Sequence, residues 1–279
     1  MNYSQTAIKQ AEKDGKDYLF ALKQANVLET RRRVKICGYC GKGNRTVPPG
    51  GKLLHLIRHG QGFHNLLGEL YADFGIDFNA TGTDLRPQNP YRRSEVLDPP
   101  LTELGREQAK QLRSSTQALS PELIVVSPLC RATQTAVIAF SHLLKPGSTV
   151  TAVPFLAHEA VREQAGAHYC DACRGLGDMR IEFPMVDYSF INNISMEKDE
   201  DWSDSREQLS SVAERGYDFL LWLRSRPEQE VAIATHSAFL FVLLNAVVDT
   251  GQLAEGLSSW FLTGEMRSVI ITFEAETQE

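Results

Sequence analysis

The sequence predicts an α/β protein in which a mostly parallel sheet is covered on both faces by helices. Two observations lead to this prediction. Short apolar runs recur along the chain, and most of them are followed by a segment with helical periodicity, which is the pattern of successive β-α units. The chain has 279 residues, of which 42% are hydrophobic, so it is long enough to bury a large core.

The first fifty residues differ from the rest of the chain. An apolar stripe predicts a helix over residues 5–26, although Gly15 interrupts it. The stretch CGYCGKGNRTVPPGG, which begins at Cys37, is typical of a turn-rich connector. We therefore expect residues 1–50 to form an N-terminal extension and residues 51–279 to form the main domain.

Predicted strands and helices alternate from residue 52 onward. Residues 75–100 interrupt this alternation with a long loop that contains several Gly, Pro and Asn residues, after which Thr102 is a candidate helix cap. The predicted strands are LLHLI (53–57), ELIVVS (122–127), TVTAVP (149–154), EVAIAT (230–235) and SVIITFEA (268–275), and the predicted helices cover 60–74, 103–119, 129–144, 205–225 and 238–248.

Composition and charge exclude several classes of protein. The net charge of −6 disfavours a nucleic-acid partner, and the basic patch RRRVK at 31–35 is interpreted as a solvated linker. No segment reaches the roughly 18 to 20 apolar residues that span a bilayer, and the N-terminus lacks the apolar core of a secretory signal. We therefore expect an intracellular, cytoplasmic protein without a membrane partner, whose oligomeric state the sequence leaves open.

Polar side chains follow three of the predicted strands at nearly the same offset. Arg58-His59-Gly60 follows the first strand, Ser127 to Arg131 the second, and His236 the strand EVAIAT. Because the carboxyl ends of parallel strands meet at one edge of a sheet, we expect these side chains to converge. Two arginines and two histidines at one point would repel each other unless an anion lies among them. A phosphate fits, since arginine presents planar paired donors to its oxygens.

A histidine in such a site can also act as a nucleophile, because neutral imidazole is reactive near its ordinary pKa of about 6.5. His59 is the candidate, and Asn65, one turn into the next helix, is a further donor to the phosphate. The leaving alkoxide needs a proton from a carboxylic acid on the far side of the phosphorus. Glu159 and Glu163 are the candidates for this acid, and position alone does not separate them.

Three ordered motifs resemble those of the histidine phosphatase superfamily, also called phosphoglycerate mutase-like. They are IRHGQGFHN, SPLCRATQTA and ATHSAF, and the resemblance covers about residues 52–274. Within the superfamily, the segment that begins GAHYCDACRG looks like that of a plant, algal and fungal branch. The resemblance implies a three-layer α/β/α sandwich with an inserted cap at about residues 155–204.

The resemblance also implies residue roles. His59 would be the phosphorylated nucleophile, and Glu163 the better proton donor, with Glu159 as the fallback. No metal or other cofactor would be required for catalysis. The residues expected to bind the phosphoryl group are Arg58, Arg131 and His236.

These observations favour a phosphomonoester hydrolase that acts on a small phosphorylated metabolite. A phosphoglycerate mutase would use the same residues but would return the phosphoryl group to a second hydroxyl group. A phosphoprotein phosphatase is also open. A catalytically silent binding protein is disfavoured, because the set of phosphate-binding and nucleophilic residues is intact.

Four cysteines form two C-x-x-C pairs, CGYC at 37–40 and CDAC at 170–173. Together they would complete a tetrahedral structural zinc site that tethers the N-terminal extension to the cap. The alternative is two unrelated pairs of thiols in a reduced intracellular protein. Metal analysis of the purified protein separates the two, since the first requires about one zinc per chain. The candidate ligands are Cys37, Cys40, Cys170 and Cys173.

Overall fold

The fold is an eight-stranded, mostly parallel sheet between two layers of helices, as the sequence predicts. The computed structural model describes residues 3–27, 34–40, 47–76, 78, 86, 88–144, 151–250 and 256–275. The strands lie in the order β5-β4-β3-β6-β2-β8-β1-β7, and β8 runs antiparallel to its two neighbours. The strands are β1 (Val34–Cys40), β2 (Lys52–Arg58), β3 (Leu123–Val126), β4 (Phe155–His158), β5 (Val186–Phe190), β6 (Glu230–Thr235), β7 (Val248–Asp249) and β8 (Met266–Ala275).

Seven α-helices belong to the described part of the chain. Thr102 caps one of them as predicted, because its hydroxyl oxygen accepts a hydrogen bond from the Gly105 N–H. A π-helical turn, Leu243–Val247, follows the last helix. The helices are α1 (Gln5–Gln24), α2 (Phe63–Asp73), α3 (Glu103–Thr116), α4 (Cys130–Ala139), α5 (Leu176–Glu182), α6 (Leu209–Ser225) and α7 (Ser237–Val242).

The central strands are apolar on both faces, and successive residues pack into different layers. In β3, Val125 packs with the cluster that α1, α6 and α7 bury, whereas Ile124 and Val126 pack with the cluster that α3, α4 and α5 bury. In β6, Ile233 packs with the first of these clusters and Ala232 packs with the second. This division produces the three-layer sandwich.

The N-terminal segment contributes to the same sheet and core. The first four residues of the predicted connector, 37–40, are in fact part of β1, which pairs along its whole length with β8 and briefly with β7, whereas residues 41–46 lie outside the described residues. Gly38 permits this packing, because an added Cβ would lie 2.8 Å from Val248 Cγ1. Leu22 of α1 has no exposed surface. The sequence pattern did not predict β1, because Cys and Gly residues are typical of a turn. The strand forms because β8 supplies its hydrogen-bonding partner.

One part of the region predicted as a cap belongs to the sheet, and another part contributes to the site. Its first strand, β4, begins at Phe155, directly after a proline whose carbonyl accepts from the Ile124 N–H. Of the predicted strand TVTAVP, residues 149 and 150 lie outside the described residues and residues 151–154 precede β4. Strand β5 pairs with β4 at the sheet edge. The intervening residues 159–175 lie beyond the carboxyl end of β4. No helix in the described ranges is long and apolar enough to cross a membrane.

Candidate active site

The carboxyl ends of three neighbouring strands bring the predicted site residues together. Arg58 at the end of β2 lies opposite Thr235 of β6, and Val126 at the end of β3 lies opposite Ala234. The residues that follow each strand are therefore adjacent. The His59 and His236 rings lie 5.0 Å apart, between centroids.

Two glycines allow the loop after β2 to approach helix α3. A Cβ on Gly60 would lie 2.4 Å from the Gly105 carbonyl oxygen, and one on Gly105 would lie 2.1 Å from the Gln61 carbonyl oxygen. The Gly60 N–H donates to the Thr135 hydroxyl at 3.0 Å, and the Gln61 N–H donates to Gln108 Oε1 at 2.8 Å. These contacts hold the loop, and with it His59, at the sheet edge.

His59 is positioned to use one defined ring nitrogen. Its Nδ1 lies 2.6 Å from the Gly60 carbonyl oxygen, which only accepts, so Nδ1 carries the proton. The other nitrogen, Nε2, accepts from Arg131 Nε at 3.2 Å. Burial, followed by the charges of Arg131, His236 and Arg58, lowers the pKa of His59 well below its ordinary value. The ring is therefore neutral at neutral pH, with a lone pair on Nε2.

Several buried polar atoms at this point have no hydrogen-bond partner in the described part of the chain. They are Arg58 Nε, His236 Nδ1, His64 Nδ1, Arg206 Nε and Trp260 Nε1. The Nη1 of Arg58 donates to the Phe261 carbonyl at 2.5 Å, and His236 Nε2 lies 2.8 Å from the Ser127 hydroxyl. A buried donor without a partner costs free energy, and an anion such as a phosphoryl group would satisfy the N–H of Arg58 Nε.

Arg131 is held by a buried ion pair that the sequence did not suggest. Its Nη2 donates to Asp171 Oδ1 at 2.9 Å, and Arg206 Nη1 donates to Asp171 Oδ2 at 2.7 Å. Burial alone would raise the pKa of Asp171, but Arg206, with His168 and Arg131, holds it well below its ordinary value. Asp171 is therefore an ionised carboxylate that orients two arginines.

Replacing Asp171 with asparagine is expected to lower the free energy of unfolding by about 3 kcal/mol, because two arginines lose their buried counter-charge. Since the folded pKa is depressed, the contribution is complete well above the unfolded value of about 3.9 and is lost as the pH falls through the folded pKa. Urea denaturation at pH 7 and pH 3 measures this difference. The exposed Asp218→Asn is the matched control, and equal stability of both variants at pH 7 would contradict the expectation.

The structure separates the two candidate acids. Glu163 lines the cavity beside His59, and its carboxylate oxygens accept from the N–H groups of Gln164, Ala238 and Phe239. Burial and the Asp171 charge raise its pKa. Glu159 does not line this cavity and instead accepts from Arg162 at 2.7 Å. The geometry therefore favours Glu163 over Glu159 as the group that faces a substrate.

Two further residues of helix α2 line the cavity. Asn65 Oδ1 accepts from the Gly62 N–H at 3.0 Å, so part of this side chain caps the helix, and its role as a phosphate ligand stays a prediction. His64, which the sequence analysis did not single out, also lies in the cavity, with its ring 5.6 Å from that of His59. A single histidine in a helix gives no signal of this kind, because the tertiary structure decides what its side chain packs against.

Helix α1 forms one wall of the site, which the sequence did not suggest. Asp14 and Tyr18, one turn apart, line the cavity together with Trp260. The cavity has a volume of about 50 Å³. The cavity is therefore small, and its walls come from α1, α2 and the residues that follow β2, β4 and β6.

The two C-x-x-C pairs do not come together. Cys37 lies on β1, near Lys35 and Glu274, whereas Cys173 donates to the Pro128 carbonyl just beyond β3. The strand order places β1 four strands from β3, or about 19 Å at the usual strand spacing. Cys40 is on the same strand as Cys37. Thiolate ligands lie only about 2.3 Å from a zinc ion, so one zinc bound by all four cysteines does not fit this arrangement, and metal analysis is its direct test.

Another set of possible metal ligands occurs within the described residues. The donor atoms of His168, Cys170 and Asp171 lie within 4.8 Å of one another. Both oxygens of the Asp171 carboxylate, however, already accept from arginines. The positive charges of those arginines oppose a cation at this point, so the set suits an anion-binding site better than a metal centre.

Comparisons with known proteins show what the chain is similar to. The sequence model of the histidine phosphatase superfamily (branch 1) matches residues 88–170. A phosphoglycerate mutase-like protein of Arabidopsis thaliana is 33% identical over 247 residues, covering 79% of this chain and 84% of the relative. Phosphoglycerate mutase-like protein 2 of the same plant is 30% identical over 274 residues, covering 79% and 74%. Among solved structures, the phosphoglycerate mutase of Thermus thermophilus aligns with a TM-score of 0.40 at 20% identity, covering 77% of this chain and 91% of that one.

Proposed function

Because the chain belongs to the histidine phosphatase superfamily, among its phosphoglycerate mutase-like members, we propose that it hydrolyses phosphomonoesters of small metabolites. Members of this superfamily carry out phosphatase- or mutase-type phosphoryl transfer. The observation that carries the proposal is the His59 imidazole, whose unprotonated Nε2 faces Arg131 beside buried donors without partners.

In the first step, the lone pair of His59 Nε2 attacks phosphorus and forms a P–N bond. The P–O bond to the leaving group breaks in line with this attack, and the electron pair goes to the leaving oxygen. Glu163 gives that oxygen its carboxylic proton, so the product leaves as a neutral alcohol. Arg58, Arg131 and His236 stabilise the charge on the remaining phosphoryl oxygens.

In the second step, water discharges the phosphohistidine. The Glu163 carboxylate accepts a proton from water as the water oxygen attacks phosphorus. The P–N bond breaks, its electron pair returns to His59 Nε2, and inorganic phosphate leaves. Glu163 is a carboxylic acid again, which restores the starting state.

The raised pKa of Glu163 supports its role as the proton donor, because it keeps part of this group protonated closer to neutral pH. The cavity beside His59 is small, about 50 Å³, which favours a small ester as the substrate.

Incubation with p-nitrophenyl phosphate, a panel of sugar phosphates and a phosphopeptide tests the proposal. We expect release of inorganic phosphate from the small esters. Conversion of 3-phosphoglycerate to 2-phosphoglycerate without net release of phosphate would instead establish a mutase. No turnover of any phosphate ester would contradict both forms of the proposal.

A further inference from the structure

We propose that Asp14, on the N-terminal helix α1, is a specificity-determining residue that disfavours substrates whose leaving group carries a carboxylate. This inference rests on the proposed function, since it concerns which phosphomonoesters that site accepts. It assigns the N-terminal segment a part in substrate selection.

Helix α1 holds Asp14 in a fixed position at the cavity. One turn further along, the Tyr18 hydroxyl donates to Gln164 Oε1 at 2.7 Å, and the Tyr18 ring lies 5.0 Å from that of Trp260. Leu22, another turn along, is fully buried in the core cluster. Because these contacts anchor the helix, Asp14 is part of the wall that a bound substrate meets.

The charges that line the cavity identify Asp14 as the unbalanced one. A phosphoryl dianion would be matched by Arg58 and Arg131. Asp171 offsets the third arginine charge of the described lining, because Arg131 and Arg206 share this carboxylate at 2.9 and 2.7 Å. Glu163 acts as the proton donor. With the phosphoryl group bound, Asp14 therefore adds one unmatched negative charge to the cavity wall.

The Asp14 carboxylate has few groups that offset this charge. On its own helix it accepts from Gln10 Nε2 at 2.8 Å and is near Lys13 and Asp17. From other elements it faces Arg58 and Tyr91. Burial raises the pKa of Asp14 to about 6, so the group is ionised at pH 7.5 and protonated at pH 5. A carboxylate on the substrate would meet it as a like charge at the higher pH.

A matched pair of substrates tests this inference. Glycerol 3-phosphate and 3-phosphoglycerate differ in that the second has a carboxylate in place of a CH₂OH group. At pH 7.5 we expect Asp14→Asn to shift the ratio of the two kcat/KM values by about tenfold in favour of 3-phosphoglycerate, the size expected for two unit charges roughly 10 Å apart in a partly screened site. Asp17→Asn, the same change of charge on the same helix but outside the cavity lining, should leave the ratio unchanged.

A binding measurement keeps this test independent of turnover. In the His59→Ala background, calorimetry should show that Asp14→Asn tightens the binding of 3-phosphoglycerate by about tenfold relative to glycerol 3-phosphate. An unchanged ratio in an enzyme that releases phosphate would overturn the inference and leave the proposed function standing. A lower kcat of Asp14→Asn on glycerol 3-phosphate but not on p-nitrophenyl phosphate would make Asp14 a proton donor and also overturn it. Absence of turnover together with the expected binding shift would contradict the proposed function alone.

Discussion

Replacing His59 with alanine is expected to lower kcat for p-nitrophenyl phosphate by at least about 10³-fold, because the covalent step loses its nucleophile. The His59 ring makes one hydrogen bond through each nitrogen, and the variant keeps the arginines that bind phosphate. Substrate binding should therefore survive the loss of turnover. Steady-state kinetics and calorimetric binding of phosphate measure the two separately.

Trapping the intermediate gives the same prediction a second readout. Wild-type protein quenched during turnover of a radiolabelled phosphate ester should carry label that acid releases and alkali does not, as for a phosphohistidine. His59→Ala should carry none. His142→Ala, which changes a partly exposed histidine outside the cavity lining, should behave as wild type. Equal phosphate release by His59→Ala and wild type would show that His59 is not the nucleophile.

Replacing Glu163 with glutamine is expected to lower kcat for glycerol 3-phosphate by about 10²- to 10³-fold, because the alkoxide leaves without a proton. The effect on p-nitrophenyl phosphate should be much smaller, since p-nitrophenolate leaves readily without one. Glu159→Gln is the matched control, because Glu159 has a similar sequence position but lies outside the cavity lining. A larger loss in Glu159→Gln than in Glu163→Gln would reverse the assignment.

The pH dependence should change in the same variant. The donor acts in its protonated form, and its pKa is raised. Turnover of glycerol 3-phosphate by wild type should therefore fall as the pH rises through that raised pKa, and Glu163→Gln should lack this limb of the profile. Profiles of kcat between pH 5 and pH 9 provide the measurement, and a limb that persists in the variant would exclude Glu163 as its source.

Local patterns were sufficient for much of the fold and for the convergence of the candidate phosphate-binding residues. The strand EVAIAT and the cap at Thr102 formed as predicted, because apolar periodicity and a capping hydroxyl act over a few residues. Arg58 and His236 were found from their offset after parallel strands, since any parallel sheet brings such ends together. Strand β1 was missed because its stability comes from pairing with β8, more than 200 residues further along the chain.

The sequence by itself determined the α/β architecture and the convergence of Arg58, His59 and His236, because strand direction and apolar periodicity are encoded locally. Only the tertiary structure showed that Glu163 lines the cavity and that Glu159 does not, since their burial and partners depend on where the chain folds after β4. It also placed Asp14 at the cavity. Contacts between segments far apart in the chain bring these carboxylates to the site. The residue spacing within a single segment does not predict such contacts.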